Sequence, residues 1–164
     1  MNKNENVVYY SGTDGKIIRT DHTFVEYDKE GRVIRKTEYS CGSPEEIRDY
    51  DTNKRVWLIR KLIPGMIDPG PDDLYESCYM QYFSDGKIKR QVTTHYDNGI
   101  MTGYEIGIED RDNAIWIESV YDKNGTPGSI SIYSESDASI KSIIVYKSDD
   151  EKSIQYNMDD PFRI

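Results

Sequence analysis

Apolar and polar residues alternate along most of the chain. In KIKRQVTTHY, Ile88, Val92 and Tyr96 fall on one face of an extended strand, and Lys87, Lys89, Gln91 and His95 fall on the other. In IMTGYEIGI, Ile100, Tyr104, Ile106 and Ile108 share a face, as do Ile140, Ile144 and Tyr146 in SIKSIIVY. A period of two with one polar side predicts antiparallel strands whose outer face meets water.

Turn signals punctuate these runs. TDGKIIRT (Thr13–Thr20), KEGRVIRK (Lys29–Lys36) and SDGKIKRQ (Ser84–Gln91) each place an acid, a glycine and a base ahead of a β-branched residue. Asp28-Lys29-Glu30-Gly31 has the spacing of a type I turn closed by a glycine bulge, with glycine supplying the positive φ. YDNG (Tyr96–Gly99) and YDKNG (Tyr121–Gly125) add two more turns. EDRDN (Glu109–Asn113) stands where the spacing calls for another, and breaks at Ser134–Ala138 and Lys147–Glu151 keep the step. The expected fold is all-β: an antiparallel meander of about ten to twelve strands, as a curved sheet, a sandwich or a partly closed barrel.

Two segments depart from the pattern. CGSPEEIRDY offers Ser43 as N-cap, Pro44 at the first helical position and two glutamates in the first turn, which predicts one short helix near 43–50. LIPGMIDPGPDDL (Leu62–Leu74) carries three prolines and two glycines and reads as a long loop. The first half is too small to bury its own core, so residues 1–164 are expected to form a single domain.

Composition limits that core. Of the 164 residues, 36% are hydrophobic and 31% charged, and 14 are tyrosines, which favour strands and interfaces. Thirty acids against 21 bases give a net charge of -9. That argues against a nucleic acid or an anionic membrane as partner and is compatible with a basic protein partner. MNKNENVVYY has no apolar run of signal-peptide length, so a cytoplasmic location is expected, with Cys41 and Cys78 reduced and packed as small residues.

Tyr27-Asp28-x-x-Gly31-Arg32-Val33-Ile34 resembles the YD repeat of bacterial Rhs-type proteins, and the Tyr-Asp-x-x-Gly turns are similar to the MORN-variant repeats of small antitoxin-like proteins. The resemblance covers four or five short units, under half of the chain. It implies a bacterial β-hairpin repeat domain, such as an immunity protein of a toxin locus.

Motif chemistry is sparse. There is no phosphate-binding glycine loop, no HExxH and no GxSxG. The calcium-loop template fails at Pro127 and Ile115, where glycine is needed, so neither a metal nor a cofactor is expected. His22 and His95 read as exposed structural residues, Trp57 as core and Trp116 as partly exposed. The stronger signal is acidic clusters beside tyrosines: Glu45, Glu46, Asp49 and Asp51 near Tyr50; Asp68, Asp72, Asp73 and Glu76 near Tyr75; Glu109, Asp110 and Asp112 near Tyr104; and Asp149, Asp150 and Glu151 near Tyr146. Tyrosine gives contact area at low entropic cost and acids select a basic target. From these, Asp68, Asp72, Asp73, Tyr75, Glu76, Tyr104, Glu109, Asp110, Asp112 and Trp116 are the expected partner-binding residues. The expectation is a non-enzymatic immunity protein that neutralises a basic toxin, such as a nuclease, by blocking its active site. The alternative is a surface repeat module that binds glycan or peptide.

Overall fold

The structure, a computed structural model, describes residues 7–11, 15–20, 22–66, 73–145 and 154–157. Its strands are β1 (Val7–Ser11), β2 (Gly15–Arg19), β3 (Thr23–Tyr27), β4 (Val33–Ser40), β5 (Ser43–Tyr50), β6 (Val56–Leu62) and β7 (Leu74–Tyr82). They continue as β8 (Ile88–Asp97), β9 (Ile100–Asp110), β10 (Ile115–Asp122), β11 (Pro127–Ser134), β12 (Ile140–Val145) and β13 (Ile154–Asn157). Among the described residues, the thirteen strands follow one another in chain order in one sheet, an antiparallel meander as the alternation predicts. No helix among the described residues is long and apolar enough to cross a membrane.

The chain divides into two compact units. The first comprises Met1–Tyr79 with Tyr96–Ile100, and the second Met80–His95 with Met101–Ile164.

One hairpin design recurs in both. At Asp28, Asp51, Phe83 and Asp122, the first residue's N–H donates to the carbonyl four residues on, and its own carbonyl accepts the N–H three residues on. The residue in third place after it has positive φ: Gly31, Lys54, Gly86 and Gly125 at 75°, 63°, 91° and 83°. The bulged turn expected at 28–31 is therefore present and is repeated. The turn at Asp51 escapes a search for glycine because Lys54 occupies the left-handed position. Each aspartate also caps its turn, accepting the N–H of Arg32 at 2.8 Å, Arg55 at 2.9 Å or Thr126 at 2.8 Å.

The expected helix at 43–50 is strand β5. Cys41 and Gly42 have φ of 49° and 85°, the conformation of a two-residue hairpin turn, and Ser43 pairs directly with Ser40. Pro44 sits opposite Tyr39 where the register shifts, a bulge position that tolerates the missing N–H. The capping pattern was outweighed by this pairing. Cys41 is exposed in the turn rather than packed, whereas Cys78 is buried.

The core is thin. Leu62, Cys78 and Met80 are the buried apolar residues among those described, beside the buried polar Thr37, Ser43, Asp49, Thr93 and Ser134. Trp57, expected in the core, is 38% exposed and meets Tyr79 edge-on at 6.2 Å.

In the first unit both faces carry charge. Glu26 and Arg35, then Arg35 and Asp49, are directly opposite in register, and Arg60 reaches Asp49 from β6. Asp49 is buried and holds Arg35 and Arg60 at 2.6 Å each. The other face pairs Lys36 with Glu38, Arg48 with Glu46, and Lys61 with Glu76.

In the second unit the faces segregate. Ile106, Ile108, Ile117, Ile130 and Ile132 share one face, with Tyr104 stacked on Tyr121 at 4.9 Å. Glu105, Gly107, Glu109, Trp116, Glu118, Ser131 and Tyr133 share the other.

Candidate functional site: an acidic aromatic groove

The polar face of the second unit carries a groove of about 680 Å³. Register explains its walls. Trp116 on β10 is opposite Glu109 on β9 and Tyr133 on β11, so two aromatic side chains and an acid lie in one row across three strands. The next row on that face holds Gly107, Glu118 and Ser131. Lys87, Gln91, Glu135 and Ala138 complete the lining with Ile88 and Ser134.

Gly107 makes room for the indole. A Cβ at this position would come within 2.1 Å of Trp116 Cζ2 and 2.7 Å of Cε2. Trp116 therefore lies over strand β9, where any larger residue at 107 would displace it.

Three loops fix one end of the groove. Arg111 donates to Asp85 and to Glu109 at 3.0 Å each, and its guanidinium stands 3.5 Å from the centre of the Phe83 ring. Lys87 pairs with Glu135 at 2.7 Å, and the Glu135 N–H donates to the Ala114 carbonyl at 2.9 Å. The Arg111 bond holds Asp85 below the usual carboxylate range, and the Lys87 bond does the same for Glu135.

Glu118 has the opposite character. Burial, then the nearby charge of Glu105, pushes its carboxyl above the usual range, and the Trp116 side chain offsets part of the rise. Among the described residues, no lysine or arginine forms an ion pair with it. Glu105 meets His95 Nε2 at 3.3 Å.

The sequence-predicted residues scatter. Glu109 and Trp116 line the groove, although the Glu109 side chain is only 7% exposed and engaged by Arg111. Asp110 caps its own turn, accepting Asn113 Nδ2 at 2.8 Å, and Asp112 is exposed in that turn. Tyr104 is on the isoleucine face. Asp73, Tyr75 and Glu76 belong to the first unit, where Tyr75 is exposed and Glu76 is paired with Lys61. Asp68 and Asp72, like the cluster at 149–151, lie outside the described residues.

Glu118, Tyr133, Gln91 and Lys87 were missed. Their signal was available: Trp116 and Glu118 are two apart, so they share a face, but the opposing position of Tyr133 requires the register. Asp97 accepts from Asn98 Nδ2 at 3.0 Å in its own turn. Among the described residues, no group of three or more His, Cys, Asp or Glu is gathered to hold a metal ion.

No family model matches the chain, and no curated protein matches it.

Proposed function

We propose that the chain is a non-catalytic binding module that takes a basic segment of a protein partner in this groove. The observation that carries the reading is Glu118, an acid without a described lysine or arginine partner, beside Trp116 in an open groove. An apolar aromatic wall supplies contact energy, and the carboxylates select cations. The net charge of -9 attracts such a partner over distance and speeds encounter. A basic toxin neutralised by an acidic immunity protein is the partner class that fits, and a toxin encoded beside this chain is the first candidate to assay.

Calorimetry of the full chain with two peptides of equal length tests the reading. One is rich in lysine and arginine, the other in glutamate. The basic peptide is expected to bind, with affinity falling as salt rises, and the acidic one not to bind. Equal binding of both, or affinity indifferent to salt, contradicts the reading. Binding of a neutral oligosaccharide in their place would make Trp116 and Tyr133 a sugar platform instead.

A further inference from the structure

At one side of the groove, Glu105 and Glu118 share a face on adjacent strands. Glu118 is opposite Gly107, and Glu105 is opposite Val120, the next position on that face. With Gln91, Thr93 and Trp116 they line a recess of about 260 Å³ over Gly107. Thr93 is buried and accepts Gln91 Nε2 at 3.2 Å, so the recess wall is ordered by its own hydrogen bond. His95 is the basic group described beside Glu105, at 3.3 Å.

We propose that this recess anchors one arginine side chain of the partner, with the guanidinium between the Glu105 and Glu118 carboxylates and against the Trp116 indole. The inference rests on the groove reading above and narrows it to one residue type and one subsite. The chemistry favours a guanidinium over an ammonium. A guanidinium is planar, weakly hydrated and able to stack on an indole while its N–H groups meet two carboxylates. An ammonium is a compact, strongly hydrated charge that loses more on entering a half-enclosed space.

Glu118 also carries a cost that a ligand would remove. Burial and the mutual repulsion of Glu105 and Glu118 disfavour the charged form of Glu118 in the free protein. Elsewhere the chain answers such acids with built-in bases, as at Asp49. Here the described residues supply no arginine, and a partner's guanidinium would fill that role.

Three acetylated peptides of glycine and serine, carrying arginine, lysine or citrulline at three alternate positions, test the assignment. Each is titrated into the full chain and into Glu105→Gln, Glu118→Gln and Asp112→Asn variants. Thermal melts confirm that each variant is folded. The arginine peptide is expected to bind about tenfold tighter than the lysine peptide, and the citrulline peptide not to bind. Glu105→Gln and Glu118→Gln should each weaken the arginine peptide about tenfold, and Asp112→Asn should leave it unchanged. Equal arginine and lysine affinities, or equal losses in all three variants, overturn the arginine subsite but leave the groove reading standing. No binding of any peptide overturns both.

Discussion

Acids in the first unit and acids in the groove of the second unit stand on the same kind of hairpin sheet but have different company. Asp49 is buried between Arg35 and Arg60, and Glu76 and Glu46 are held by Lys61 and Arg48. In the groove, Glu118 is half-buried against Trp116 and Glu105, with no described lysine or arginine on it. In the first arrangement, Asp49 opposite Arg35 and Glu76 opposite Lys61 pair across strands, and a charge placed opposite its counter-charge disfavours a strand slip. The second leaves charge uncompensated on an aromatic surface, which is the economy of a binding site rather than of a scaffold.

The contrast can be tested by mutation, beginning with the largest effect. Asp49→Ala leaves Arg35 and Arg60 facing each other without their carboxylate and should destabilise the fold by about 3 kcal/mol in urea denaturation. A loss under about 1 kcal/mol would mean that the ladder does not hold the strands. Gly107→Ala should cost about 1–2 kcal/mol, because the new Cβ meets the indole, and should also shift the Trp116 emission and weaken basic peptides. Unchanged emission would show that the indole does not depend on Gly107.

Turn chemistry gives the next step. Lys54→Gly should stabilise the chain by about 1 kcal/mol, because Lys54 occupies the left-handed region at φ 63°. A neutral or harmful result would show that Lys54 contributes something beyond its backbone.

The smallest effects are pH-dependent and opposite in sign. The N–H groups of Thr126 and Asn124 hold Asp122 below the usual range, so its contribution exists above the unfolded-state value and is lost as pH falls through the folded one. Asp122→Ala should therefore lower the melting temperature at pH 7, and the gap from wild type should close in strong acid, below about pH 4. Glu118 is raised, so its ionisation costs stability as pH rises from the unfolded-state value, about 4.3, through the higher folded one. Glu118→Gln should melt at or above wild type at pH 7, with the advantage gone below about pH 4. The reverse order for Glu118 would mean that its charge is satisfied within the fold.

Much of the scaffold was readable from the residues. Alternation located the strands of the second unit, and Asp28 and Gly31 announced their turn. The helix expected at 43–50 shows where local rules stop: Ser43, Pro44 and two glutamates satisfy a capping pattern, but the Cys41-Gly42 hairpin fixes the pairing. The groove was half readable. Trp116 was singled out, yet acids were judged by clustering in sequence. Asp110 belongs to a dense cluster and serves its turn, while Glu118 stands alone in sequence and becomes conspicuous only when the register places Gly107 and Glu105 around it.

Titration of the isotopically labelled full chain with the arginine peptide, followed by amide chemical shifts, tests the central claim most directly. The largest shifts are expected at Gln91, Glu105, Gly107, Trp116, Glu118 and Tyr133, saturating together, with the Asp49 ladder and the isoleucine face unmoved. Saturable shifts centred on the isoleucine face or on the ladder, with the groove silent, would contradict the account.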